Sequence, residues 1–316
     1  MIYHSVLSLI GNTPLIQLNK IGAHARMPIL AKCEYLNPGG SVKDRIAQAI
    51  IDDAEATGHL KPGDTLIEAT AGNTGMGLAL VAASRGYQLV CVMPEKMSKD
   101  KRQALSLLGA RVIIAPNAPL HDERNFRNVA RRLAAENGWF LTDQFGHPAN
   151  PRVHFETTGP EIFKQCDGKV GAFVSGAGTG GTITGVGKYL KQQLPDVKII
   201  LADPIGSRLA HLSDPSQDDL DQPFLVEGIG GSDAPQNLDL GMIDGVERVS
   251  DEESFAMTGR LLREEGLLVG SSTGTNVVAA LRIAQRHDLN GPVVTILCDS
   301  WDRYFAQPWM QRLGGI

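Results

Sequence analysis

Short β-rich runs recur along the chain at Pro28–Glu34, Thr65–Ala69, Gln88–Met93, Arg111–Ala115, Ala172–Ser175, Lys198–Ala202 and Pro292–Leu297. Between them lie longer stretches with helical spacing of apolar residues, at Ser41–Thr57, Thr74–Arg85, Lys99–Leu108, Glu123–Asn137, Thr182–Gln193, Asp251–Glu265 and Thr275–His287. Strands separated by helices predict right-handed crossovers and mainly parallel sheets covered on both faces by helices, an α/β class.

A chain of 316 residues is long enough for two such domains. The Pro-, Asn- and Gly-rich segment Asp143–Pro151 divides two similar sets of units. The expected division is residues 1–147 as an N-terminal α/β domain and 148–316 as a C-terminal one, with the first ~35 residues packing on the other domain. Ligands in this architecture bind beyond the carboxyl ends of the strands. The stretch Asp203–Gly241, rich in Asp, Pro, Gly and Ser, reads as a long irregular loop over the site.

Composition narrows the functional class. Thirty Lys plus Arg against thirty-five Asp plus Glu give a net charge of −5 without long single-sign runs, so no face for nucleic acid or anionic lipid is expected and a small-molecule partner is favoured. No run approaches the roughly 20 apolar residues of a membrane span, and the N-terminus lacks the basic region of a signal peptide, so a cytoplasmic location is expected. Cys33, Cys91, Cys166 and Cys298 form no C-x-x-C pair, and the histidines form no H-E-x-x-H or Cys/His cluster, so no metal is expected.

Candidate chemistry sits at four strand ends. Asn37–Arg45 follows a strand and opens a helix, and Ser41 with Asp44 fits the S-x-x-D start signal, which places Lys43 in the first turn. The positive end of the helix dipole disfavours an ammonium there and favours the neutral amine that attacks aldehydes. Thr70-Ala71-Gly72-Asn73-Thr74-Gly75-Met76-Gly77 offers hydroxyls, an amide and glycine N–H groups at a helix start, suited to a carboxylate. Gly176-Ala177-Gly178-Thr179-Gly180-Gly181-Thr182, ahead of a helix, can surround a phosphate with N–H groups and Thr hydroxyls without a basic side chain. The same glycines match G-x-G-x-x-G, with Asp203 ending the next strand, so a dinucleotide-dependent oxidoreductase remains an alternative, as does a catalytically silent binding protein. Gly270-Ser271-Ser272-Thr273-Gly274 precedes the helix expected at Thr275, where Ser272 could be a cap or a ligand.

With these motifs in order, the chain resembles the fold-type II pyridoxal phosphate enzymes, specifically the cysteine synthase and cystathionine β-synthase family, from Gly11-Asn12-Thr13-Pro14-Leu15 to Asp299-Ser300 and Arg303-Tyr304. The resemblance implies a tryptophan synthase β-like fold, a homodimer, and pyridoxal 5'-phosphate carried on Lys43. It implies Asn73 against the cofactor's ring hydroxyl, Gly176, Ala177, Gly178, Thr179, Gly180, Gly181 and Thr182 around its phosphate, and Ser272 at the pyridine nitrogen. Thr70, Ala71, Gly72, Asn73, Thr74 and Gln144 would grip the substrate carboxylate, with Lys43 moving the Cα proton.

Met93–Ser98, Gln165–Lys169, Asp203-Pro204-x-Gly206-Ser207 and Glu227-Gly228-Ile229-Gly230 look more like cystathionine β-synthases than plain cysteine synthases. Phe145 stands where the former often have Tyr, and Ala71 where Ser is usual. Glu227 and Gly228 become candidates for contacting the thiol substrate, homocysteine. Ala71 removes a hydroxyl that could assist a poor leaving group, which favours O-acetylserine over serine. A cysteine synthase using sulfide is the alternative. No haem segment or regulatory pair like those of some longer relatives is expected.

Overall fold

The computed structural model describes residues 2–70, 72–95, 97–286 and 289–315. The chain forms two compact units, Met1–Ile10 with Asn37–Ala149 and Gly11–Leu36 with Asn150–Ile316.

In the first unit, four parallel strands lie in the order Arg111–Ala115, Gln88–Pro94, Thr65–Ala69, Phe140–Leu141. Successive side chains of a strand point to opposite faces, and here both faces are buried. Leu66, Leu89, Cys91 and Met93 pack with Ala47, Ile51, Leu78 and Val81 of the helices Lys43–Ala56 and Asn73–Arg85. Ile67, Ala69, Val90 and Val92 pack on the other face with Ala130 and Ala134 of the helix Phe126–Asn137. Glu68 occupies an inward position of this otherwise apolar strand and is buried.

In the second unit, six strands run in the order Leu15–Gln17, Ile29–Cys33, Val293–Leu297, Ala172–Ser175, Lys198–Pro204, Gly245–Val249. All pairings are parallel except that of Leu15–Gln17 with Ile29–Cys33. Val277, Ala280 and Ile283 of the helix Ser271–Arg286 cover one face and Ile183, Val186 and Leu190 of Gly181–Gln193 the other. Lys32 is fully buried and neutralised by Glu161 at 2.7 Å, with Thr13 O and Gln165 Oε1 accepting its other bonds.

The α/β class matches the expectation, and differences arise where local signals mislead. Leu15–Gln17, Phe140–Leu141 and Gly245–Val249 are strands that local pattern does not announce; two of them are three residues or fewer. Ala149–Val153 is helical and continues through a π-helical turn, His154–Thr158, into Gly159–Gln165. Pro151 and Pro160 read locally as breakers. Pro151 lies in the first turn, where its missing N–H costs nothing, and Pro160 follows directly on the π turn. The segment after Asp203 is not wholly irregular, because the strand extends to Pro204 and Leu209–Ser213 is helical. The helix expected from Thr275 begins at Ser271, so Ser272 and Thr273 lie inside its first turn. No helix among the described residues is long and apolar enough to cross a membrane.

Candidate active site

Within the first unit, Lys43 is the first residue of the helix Lys43–Ala56. The expected reciprocal cap does not form. Ser41 Oγ accepts from the Lys43 N–H at 3.2 Å, while the Asp44 carboxylate reaches back to the Gly39 N–H at 2.5 Å. Asp44 therefore closes the Asn37–Gly40 turn, and a Cβ on Gly39 would lie 2.5 Å from its Oδ1. Gly77 lets the second helix approach closely: a Cβ there would sit 3.0 Å from both Lys43 O and Ala47 Cβ. The fold thus brings Lys43 and the Thr70–Gly77 segment side by side.

That segment is tied down by its own hydroxyls. Thr70 Oγ1 accepts from the N–H groups of Gly72 and Gly75 at 3.3 and 3.1 Å. Asn73 opens the helix Asn73–Arg85 after Gly72, a terminus whose first N–H groups have no intrahelical acceptor. Thr74 Oγ1 donates to Gln144 Oε1 at 2.5 Å. Gln144 Nε2 in turn donates to Glu68 Oε1 at 3.3 Å and Ala69 O at 3.2 Å. Gln144 thus links the Thr74 hydroxyl to the buried Glu68. Phe145, its neighbour, carries the Arg127 guanidinium over its ring at 3.7 Å. Ala71 lies outside the described residues.

Within the second unit, Gly176–Thr182 leads from the strand Ala172–Ser175 into the helix Gly181–Gln193. Its glycines are sterically demanded. A Cβ on Gly176 would lie 2.8 Å from Ile229 Cδ1, one on Gly178 2.1 Å from Gly228 O, and one on Gly181 1.8 Å from Asn150 Oδ1; Gly180 has φ +82°. Asn150 Nδ2 donates to Thr179 Oγ1 at 3.0 Å, which leaves the Thr179 proton to be given elsewhere. His154, on the π turn, links Thr158 Oγ1 through Nδ1 at 2.9 Å and Thr182 Oγ1 through Nε2 at 3.2 Å. The Gly176 N–H is fixed by Asn276 Oδ1 at 2.7 Å, and Asn276 Nδ2 donates to Ile296 O. Helix-terminal N–H groups, two hydroxyls and no basic side chain are the donor set of a cradle for a phosphate monoester.

Ser272 is buried in the first turn of Ser271–Arg286, the helix that also carries Asn276. The segment Glu227-Gly228-Ile229-Gly230 lies on the cradle, with the Gly230 N–H donating to Ala177 O at 2.9 Å. Gly228 and Gly230 both have positive φ, +88° and +81°. Glu227 Oε1 accepts from Gln307 Nε2 at 2.6 Å, and nearby the buried Tyr304 donates to Asp299 Oδ2 at 2.6 Å. Burial, the Asp299 charge and, further down, that of Glu227 hold the Tyr304 phenol well above its ordinary range.

Asp203 is buried, its Oδ2 accepts from the Ala210 N–H at 2.8 Å, and burial pushes its carboxyl up to about 6. Burial likewise raises the Cys33 and Cys91 thiols to about 12 and Cys166 to about 11, marking them as core residues. Among the described residues no cluster of three or more His, Cys, Asp or Glu side chains could hold a metal. Sequence reasoning passed over Glu68, Asn150, His154 and Asn276. Glu68 had one local signal, a charge at an inward position of an apolar strand; the others had none.

A family model described as "Pyridoxal-phosphate dependent enzyme" matches residues 6–299. The cystathionine beta-synthase of Apis mellifera is 46% identical over 98% of this chain and 62% of its own length, and that of Mus musculus 44% identical over 98% and 56%. Cysteine synthase 1 of Neurospora crassa is 44% identical over 97% of this chain and 85% of its own. The chain thus spans about three fifths of the cystathionine beta-synthases it matches. A crystal structure of O-ureido-L-serine synthase, 36% identical, superposes with a TM-score of 0.90 over 98% of this chain and 96% of that one.

Proposed function

The chain belongs to the pyridoxal-phosphate-dependent enzyme family, and we propose that it replaces the β-substituent of O-acetyl-L-serine with a thiol, homocysteine in the first instance, giving cystathionine. The cofactor, when bound, supplies the electron sink that lets a proton leave the substrate's Cα. Lys43 would carry it, Asn73 would meet its ring hydroxyl, Gly176–Thr182 would enclose its phosphate and Ser272 would face its pyridine nitrogen. A neutral hydroxyl at that nitrogen, in place of a carboxylate, keeps the sink weak and favours prompt loss of the β-substituent. Lys43 Nζ would take the Cα proton and later return it. Thr70, Gly72, Asn73 and Thr74 would receive the substrate carboxylate at a helix start, where N–H groups and the helix dipole favour an anion. Acetate leaves without a proton donor, which suits a loop with Ala at position 71. The family makes a homodimer in the cytoplasm the expected assembly and place.

The observation that supports homocysteine is the packing of Glu227–Gly230 on the phosphate cradle within one unit. It seats the backbone next to Glu227 against the cofactor-binding loop, and the Glu227 carboxylate, which accepts from Gln307 Nε2 at 2.6 Å, would meet the cationic amino group of homocysteine or its thiol proton. Sulfide has no amino group. Glu227→Gln should therefore depress the homocysteine reaction ten- to a thousandfold, about 1.4–4 kcal/mol, and leave sulfide-dependent cysteine formation nearly intact. Kinetics of serine and O-acetylserine against homocysteine and sulfide decide the matter. Equal loss with both thiols would reduce Glu227 to a structural role. A parent enzyme that ignores homocysteine would leave the cysteine synthase reading, to which the Neurospora crassa relative points with near-equal identity.

A further inference from the structure

Glu68 is an expensive residue to bury. It is the penultimate residue of the strand Thr65–Ala69, with 1% of its surface exposed, and a carboxylate in such a place persists only where donors surround it. Three do: the Thr142 hydroxyl, the Gln144 N–H at 3.2 Å and Gln144 Nε2 at 3.3 Å. Burial pushes the carboxyl up to about 7, opposed by these bonds and reinforced by the neighbouring Asp143 charge. On the adjacent strand its register partner is Cys91.

The consequence falls on Gln144. Glu68 and Ala69 O are both acceptors, so the NH₂ of the Gln144 amide must face them and its oxygen must face outward. That oxygen receives the Thr74 hydroxyl proton at 2.5 Å. Thr74 lies one residue past the helix start that Asn73 opens, so its rotamer and the seat of the Thr70–Thr74 loop depend on how the amide is turned.

We propose that Glu68 is a positioning residue for the substrate carboxylate, setting the Thr70–Thr74 loop through Gln144 and Thr74 without touching substrate. This rests on the reading of that loop as the carboxylate site. Glu68→Gln conserves shape but can turn an NH₂ against the Gln144 NH₂, removing the charge-assisted acceptor that fixes the relay.

The test titrates the holoenzyme with L-serine, followed by the cofactor's absorbance, in the parent, Glu68→Gln, Gln144→Ala and the double variant. Glu68→Gln should raise the dissociation constant ten- to a hundredfold with cofactor content unchanged, and the double variant should bind no worse than Gln144→Ala, because both changes cut one relay. Parent-like binding in Glu68→Gln, or fully additive losses, would overturn the proposal. Should Glu68→Gln fail to fold, Thr142→Val, which keeps the carboxylate and deletes one of its donors, should raise the constant roughly three- to tenfold, and an unchanged value would overturn it. A parent protein whose cofactor spectrum ignores every amino acid would instead refute the functional reading, and this inference with it.

Discussion

Gly178→Ala tests the link between the phosphate cradle and the Glu227 segment most directly. The new methyl would lie 2.1 Å from Gly228 O, where a carbon needs about 3.5 Å, so one segment must retreat by more than 1 Å. Neither is free to do so. The Gly230 N–H is bonded to Ala177 O at 2.9 Å, and the Leu225 and Val226 N–H groups are held by Asp251 at 2.8 and 3.0 Å. Overpacking costs about 1–3 kcal/mol and the loss of one buried hydrogen bond about 1 kcal/mol. The sum, about 2–4 kcal/mol, corresponds to a fall in melting temperature of roughly 5–15 °C for a unit of this size. Because the cradle is displaced too, cofactor affinity should fall with it, read by equilibrium dialysis. Gly228→Ala is the control: φ is +88° but nothing lies within 4 Å of its Cβ, so only the left-handed backbone cost of about 1–2 kcal/mol applies. A Gly178→Ala protein that melts within about 2 °C of the parent and retains its cofactor would refute the packing argument.

Two further outcomes follow from the same geometry. Lys43→Ala should lose turnover and the yellow absorbance of lysine-bound cofactor while the cradle still retains some cofactor non-covalently; full activity would remove Lys43 from the chemistry. Asp203, raised from 3.8 to about 6 by burial against the pull of the Ala210 N–H and the Arg248 charge, favours its protonated form when folded. Its stability contribution is therefore present below about pH 4 and lost as pH rises to about 6, on the order of 3 kcal/mol. Asp203→Asn keeps the acceptor for Ala210 and should remove that component, so chemical denaturation at pH 4 and pH 6 should show the parent losing more stability than the variant.

The strand and helix pattern, the two parallel-sheet units and the position of Lys43 were legible in the sequence because each depends on residues a few places apart. Apolar runs declare buried strands, and glycine with hydroxyl residues between a strand and a helix declares an anion-receptive turn. The start of the helix at Ser271 was displaced because Gly270–Gly274 looks like a loop when its burial is ignored; packed inside, its residues take the helix's first turn. The long helix through His154 was hidden by Pro151, which its first turn accepts, and by Pro160, which directly follows the π turn.

Tertiary structure alone decided what stands behind the candidate site. The parallel register of Leu66 with Phe140 and Ile67 with Leu141 carries Thr142 and Gln144 to Glu68, some seventy-five positions away in the chain. Asn276 reaches Gly176 across a hundred residues, and Gly228 O meets Gly178 across fifty. Hydrogen bonds and close backbone contacts at such separations leave no imprint on local propensity or hydrophobic period. The sequence determined which residues could do the chemistry, since that is a matter of residue type and local turn, whereas sheet register determined which buried partners hold them still.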